Sequence, residues 1–297
     1  MSKSPQRSFI PGDEWLYYKI YTGPKTADKI LVNIIKPAVE NLQKNGTINR
    51  WFFLRYADPK HHLRLRLHCP KTENIVAVLE TLTITLSDLL SEDLIWKVQL
   101  DTYQREIERY GSNSITLAEE VFFQDSILVT NFLALANQYN SPNLRWLFSL
   151  RAIDSYLNDF GYSDERKRDL LEKMKVGFRS EFDNTRILGK QLDKKYRTNQ
   201  KDISEIMEAD SETAYNPLLA LLAEKEANLK STAQDILNLV ANNQLQKNID
   251  ELLSSFIHML MNRLFKSKNR MHEMVCYDFL YRYYKSMIAR RKYMAKK

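Results

Sequence analysis

Between Asp58-Pro59 and Pro70 the chain alternates without a break: His62, Leu63, Arg64, Leu65, Arg66, Leu67, His68. A helix would scatter both residue types around its circumference, whereas a strand sends successive side chains to opposite faces. Leu63, Leu65 and Leu67 therefore share one face of a strand, and Arg64, Arg66 and His68 share the other. A strand needs partners, and the flanking sequence supplies candidates. Trp15–Tyr21 is aromatic and β-prone and ends at Gly23-Pro24; Arg50–Tyr56 follows an Asn45-Gly46 turn; Trp96–Leu100 reads as a fourth strand. Two apolar stripes at helical spacing lie between them, Ile30, Ile34, Ile35, Ala38 and Leu42, then Ile75, Val78, Leu79, Leu82 and Leu86. The order β-α-β-β-α-β predicts a ferredoxin-like unit over residues 15–111, after an N-terminal tail of residues 1–14.

Beyond Gly111 the periodicity turns helical. Residues 114–138, 142–160, 163–178, 216–242, 246–266 and 271–290 read as helices, and the polar, charge-rich residues 180–212 as loops. The expected architecture is α+β: the sheet unit, then a mainly helical part of the same domain over 112–290, and a basic tail at 291–297.

Composition removes several functional classes. The 44 Lys+Arg exceed the 37 Asp+Glu, and the sequence pI is about 9.1. Six of the cations lie in the last 13 residues, which hold no acid, so the rest of the chain is nearly neutral. The seven glycines are scattered, which excludes a Walker A loop and a Rossmann fingerprint. No C-x-x-C or H-E-x-x-H occurs, and the two cysteines, Cys69 and Cys276, cannot staple a fold. His272 and Cys276, four apart, make no zinc site without a second pair. No cofactor and no metal is expected. The N-terminus has no apolar signal core, and no apolar run approaches ~20 residues, so a cytoplasmic chain without a membrane span is expected.

Three segments can carry chemistry. Arg64 and Arg66 stand ~7 Å apart along their strand and could hold separate oxygens of one polyanionic ligand; taken alone, the plainer reading is solubilising residues on a solvent-facing surface. Glu106 and Arg109, three apart after the fourth strand, would meet on one side of a helical turn, either as a surface ion pair or as a pair aiming Arg109 at a ligand. In residues 252–265, Leu252, Leu253, Phe256, Leu260 and Leu264 form a buried stripe, while Ser255, His258 and Asn262 share another face. A lone helix histidine more often serves structure than catalysis. The aromatics Tyr277, Phe279, Tyr281, Tyr283 and Tyr284 read as helix packing.

Taken together, the segments FFLRYADPKHHLRLRL, QLDTYQREIERYG, AEEVFFQDSILV, AIDSYLNDFGYS and SSFIHMLMNRLF, in this order, resemble the C-terminal elimination domain of lantibiotic dehydratases, a domain type that also occurs free-standing in thiopeptide-type bacteriocin biosynthesis. The likeness runs from about Trp15 to Tyr284.

The resemblance implies a carbon–oxygen lyase. A glutamylation domain esterifies Ser or Thr of a ribosomal precursor peptide with glutamate from glutamyl-tRNA, and the elimination domain removes glutamate to leave dehydroalanine or dehydrobutyrine. The family's residues fall here on Arg64, Arg66, Arg109 and His258, with Glu106, Ser255, Asn262 and Arg263 in support. Arginine forks suit a departing dicarboxylate. An imidazole is the side chain that exchanges protons near neutral pH, so His258 would either take the Cα proton or position the ester. At 297 residues the sequence has no room for the large glutamylation domain, which implies a separate glutamylating partner that supplies the tRNA contacts. A homodimer is left open. Two alternatives stand beside elimination: a pyridine-forming [4+2] cycloaddition between dehydroalanines, as in free-standing relatives of this fold, and a non-catalytic subunit that binds the precursor peptide.

Overall fold

The computed structural model describes residues 4–139, 141–182 and 185–295. In chain order the first elements are β1 (Ser8–Phe9), β2 (Trp15–Tyr21), α1 (Pro24–Ile30), α2 (Lys36–Lys44), β3 (Arg50–Tyr56), β4 (His62–His68), α3 (Ile75–Ser91), β5 (Lys97–Asp101), β6 (Tyr103–Gln104), α4 (Ile107–Tyr110) and α5 (Ile115–Ala136). Then follow α6 (Leu144–Asp159), α7 (Asp164–Ser180), α8 (Arg186–Thr198), α9 (Gln200–Met207), α10 (Asn216–Ala241), α11 (Ile249–Leu264) and α12 (Asn269–Met294). The chain is α+β, with its small antiparallel sheet near the N-terminus and helices after it. Two compact units divide it: the residues up to Gln138 with Asn238–Ser267, and Tyr139–Leu237 with the residues from Lys268 onward. Helices α5 and α11, both in the stretch read as a helical half, thus belong to the unit that holds the sheet.

In that first unit the strand order is β3-β4-β2-β5, antiparallel throughout. Leu63, Leu65 and Leu67 are buried, as the alternation predicts. On their face α3 turns Val78, Leu82, Leu86 and Leu89 inward. The single helix expected over Thr26–Leu42 is interrupted: a π-helical turn, Leu31–Ile35, joins α1 to α2. Pro37 lacks the N–H that an unbroken α-helical ladder would use, and the wider turn sits immediately before it. The N-terminal stretch is more than a tail, because Ser8–Phe9 pairs with Tyr103–Gln104 and Phe9 is fully buried against Tyr103.

Side chains close the outer edge of β3. The Phe53 N–H donates to Ser126 Oγ (3.2 Å), the Arg55 N–H donates to Asn262 Oδ1 (2.9 Å), and Asn262 Nδ2 donates back to the Arg55 carbonyl (2.9 Å). Exposed strand edges invite foreign pairing, and α5 and α11 remove that exposure here. Among the described residues one helical segment, Thr72–Ser91, is long and apolar enough by length and composition alone to pass for a membrane span, a test that the core helix of a globular protein also passes.

The second unit is helical, and its polar core is made of ion pairs. Asp154 accepts from Lys167 Nζ (2.6 Å), Arg151 Nη1 (2.9 Å) and the Tyr284 hydroxyl, while Lys225 Nζ meets Asp159 Oδ2 (2.7 Å). Residues read as loops at 180–212 contain α8 and α9. Their charged residues face outward, while Leu192, Ile203, Ile206 and Met207 are buried, and Thr185 Oγ1 caps α8 by accepting from the Leu188 N–H (3.2 Å). Only four buried apolar residues spread among so many charges make a faint period in the sequence. Tyr277, Phe279 and Tyr284 are buried, as helix packing requires. Of the basic tail, Lys296 and Lys297 lie outside the described residues.

Both cysteines are buried. Burial pushes the Cys69 thiol up to about 11 and the Cys276 thiol up to about 12, the latter despite Ser149 Oγ at 3.3 Å. Because the thiolate is the reactive form, a thiol-specific chromogenic reagent should titrate neither cysteine in the native protein at mildly alkaline pH and both in denaturant. A fast native reaction would show that these helices and strands open locally.

Candidate functional site

Residues directly opposite in antiparallel strands share a face, so the register assembles the site. One row across the sheet is Phe52, Arg66, Tyr17, Asp101; the next is Leu54, Arg64, Lys19, Gln99. Arg64, Arg66, Lys19 and Asp101 therefore lie on one face, and with Tyr17 and Glu106 they line a cleft of about 410 Å³. It is not a simple solvent-facing surface. Arg66 is only 8% exposed, its guanidinium carbon lying 4.5 Å from the ring centre of Tyr17, 4.8 Å from Tyr103 and 5.2 Å from Phe52. Arg64 lies 3.4 Å over the Tyr56 ring, and its Nε donates to His62 Nε2 (3.2 Å).

Three other buried arginines of this unit each have a carboxylate. Arg55 Nη2 meets Asp28 (2.7 Å), Arg105 grips Glu119 through Nε and Nη2 (2.7 Å each), and Arg263 lies 3.8 Å from Asp125. Arg66 has none among the described residues, and its Nε and Nη1 are buried without an acceptor. Burial pushes its pKa down, opposed by Tyr103 and Tyr17. A buried cation without a counter-ion is costly, and that cost falls when an anion enters beside it.

The remaining groups set the polarity of the cleft. Burial raises the Tyr17 hydroxyl against the lowering pull of Arg66 and Arg64, so it stays protonated and can donate. Lys19 Nζ pairs with Asp101. Burial pushes the Asp101 carboxyl up, but the Lys19 hydrogen bond and the Thr102 N–H together outweigh it and hold the group below its ordinary value. A depressed carboxyl contributes stability above its unfolded pKa and loses that contribution as pH falls through the folded value. The gap in urea midpoint between wild type and Asp101→Asn should therefore be widest near neutral pH and close on acidification. A gap independent of pH would show that Asp101 acts without its charge.

Of the residues singled out by sequence, Arg64, Arg66 and Glu106 meet in the cleft. Arg109 is not among its lining residues; its side chain is 32% exposed, with Nη1 3.4 Å from Glu106 Oε2 and its guanidinium against the Tyr110 ring. Ser255 and His258 are half-buried on α11, outside the lining. Helix α11 meets α4 where Tyr110 stacks on Phe256 at 5.9 Å. Asn262 clamps the β3 edge, and Arg263 is fully buried beside Asp125. Sequence reasoning missed Tyr17, Lys19 and Asp101. Tyr17 and Lys19 sit two apart, the same spacing as Arg64 and Arg66, but in a run whose aromatics read as core. No cluster of three or more His, Cys, Asp or Glu placed to hold a metal occurs among the described residues.

The fold and this cleft define a class: an α+β domain whose sheet turns an arginine-lined face into an open cleft. The chain belongs to the lantibiotic biosynthesis dehydratase C-terminal family, whose model matches residues 15–284. It is 29% identical over 163 residues to the nisin biosynthesis protein NisB of Lactococcus lactis subsp. lactis, covering 54% of this chain and 16% of NisB. It superposes on the tRNA-dependent lantibiotic dehydratase MibB from Microbispora sp. 107891 with a TM-score of 0.77 at 18% identity, covering 98% of this chain and 29% of MibB. It also superposes on TbtD, a pyridine synthase from thiomuracin biosynthesis, with a TM-score of 0.66 at 13% identity, covering 90% of this chain and 97% of TbtD. The chain thus spans about a sixth of NisB and under a third of MibB.

Proposed function

We propose that the protein eliminates glutamate from glutamylated Ser or Thr of a ribosomal precursor peptide, acting with a separate glutamylating protein. The carrying observation is Arg66, a buried guanidinium stacked on three rings, with two nitrogens lacking acceptors, at an open cleft. In the elimination a base takes the Cα proton, the Cβ–O bond breaks, and the bonding pair leaves with the glutamate carboxylate. Arg66 and Arg64 can bind that carboxylate as its charge grows, and the Tyr17 hydroxyl can donate to it. His258 is the candidate for the proton, on the strength of the family resemblance, with Arg109 beside Glu106 completing the set. The β-α-β-β-α-β order and the strand order β3-β4-β2-β5 support reading residues 15–111 as ferredoxin-like; the family match over residues 15–284 supports taking the helical residues 112–290 as part of the same elimination domain.

Incubating the protein with a glutamylated precursor peptide and following mass tests this reading. Release of free glutamate with formation of a dehydroamino acid is expected, and an unchanged ester would overturn it. One observation favours a second reading: the fold of this chain also superposes on TbtD, a pyridine synthase, over nearly all of that protein. Cycloaddition has no departing carboxylate for Arg66 to hold. Pyridine formation from a bis-dehydroalanine peptide, with the glutamyl ester left intact, would select that alternative.

A further inference from the structure

The two edges of the four-stranded sheet are finished differently. Ser126 and Asn262 seal β3, but among the described residues nothing outside β2 bonds to the backbone of Lys97–Leu100 in β5. Folded proteins ordinarily blunt a bare edge with charge, a bulge or a covering element. Here Lys97 is exposed at the start of the strand, but the rest of the edge is bordered by apolar surface: Leu90 is 49% exposed, Trp96 48% and Leu100 37%. On the leucine face, Val98 joins Tyr18, Leu82, Leu86 and Leu90 in an apolar groove of about 170 Å³. On the arginine face, Asp101 and Thr102, where β5 ends, line the cleft. One strand thus carries an open edge, an apolar groove on one face and the arginine-lined cleft on the other.

We propose that the open edge of β5 is the docking strand for an extended segment of the peptide substrate, which adds to the sheet as a further strand. The occupant is a short peptide carrying Ser or Thr with an apolar neighbour. This identification rests on the function proposed above, and the continuity of β5 with the cleft commits the edge to substrate. Main-chain hydrogen bonds of an added strand provide affinity, and pockets for alternate side chains provide selectivity. β5 is ~13 Å long from first to last Cα, enough to pair about five residues. A residue opposite Asp101 turns its side chain to the cleft. The residue opposite Leu100 turns to the groove face, and so does the one opposite Val98. The modified Ser or Thr should therefore be read together with apolar residues one and three positions to one side of it.

Docking can be measured without turnover, by fluorescence anisotropy of a labelled, unesterified peptide of about nine residues with Leu at those two positions. Leu90→Asp, at a half-exposed site where the fold tolerates charge, should weaken binding by about tenfold or more, the range lost when one apolar contact is removed. Backbone N-methylation of the peptide, which removes its donors but keeps its side chains, should weaken binding comparably. Binding indifferent to both changes would overturn the proposal. So would a concentration-dependent dimer that Leu90→Asp dissociates, since a second copy would then own the edge. Elimination failing while this binding persists would remove the catalytic reading and leave the docking strand standing.

Discussion

Arg66→Met is expected to slow glutamate elimination by about 10²–10³-fold, the loss typical when a group stabilising a developing oxyanion is removed. The glutamylated peptide should accumulate, visible as a persistent ester in the mass spectrum. The same variant should unfold no more easily than wild type, and by up to ~1–3 kcal/mol less easily, because it removes a guanidinium whose buried nitrogens lack acceptors. Tyr17, Phe52 and Tyr103, which now stack on the guanidinium, accept a shorter, flexible and polarizable thioether side chain. Arg66→Lys keeps the charge but loses the planar fork and the stacking, so it should recover little activity. Opposite effects on rate and stability are the signature sought, because a merely structural arginine would lose both together. A stable Arg66→Met variant with full activity would move the carboxylate site elsewhere.

Why Arg66 could be read from sequence and its neighbours could not follows from the range of the signals. Alternation is local: six residues suffice to place Arg64 and Arg66 on one face of a strand. Register is not. Lys19 faces Arg64 and Asp101 faces Tyr17 only because strands distant in the chain pair in the order β3-β4-β2-β5. Helical periodicity likewise put Ser255, His258 and Asn262 on one face without telling what that face would meet; for Asn262 it is the edge of β3. The buried state of Arg66 was also hidden, since the rings of Tyr17, Phe52 and Tyr103 come from three other strands. Family resemblance supplied Arg109 and His258 as residues of the chemistry, and those two lie outside the lining of the cleft.

Arg263 was grouped with them in a supporting role, and its surroundings assign it a different kind of work. It and Asp125 are fully buried 3.8 Å apart, its Nε donates to Ser126 Oγ (3.3 Å), and its carbonyl accepts from Arg55 Nε (2.8 Å). Arg55 in turn pairs with Asp28, so one chain of contacts ties α11 to α5, β3 and α1. Asp125→Ala should therefore cost about 3–5 kcal/mol, because it leaves a guanidinium in the core without its carboxylate. Replacing both partners by apolar residues, Asp125→Leu with Arg263→Met, should recover most of that loss in urea denaturation, since no stranded charge remains. The folded double variant should still eliminate glutamate at a rate within a few-fold of wild type, in contrast with the collapse expected at Arg66. If the double variant is stable and inactive, Arg263 reaches the chemistry through a path other than the packing of α11, and the division between the two arginines drawn from their burial and partners is wrong.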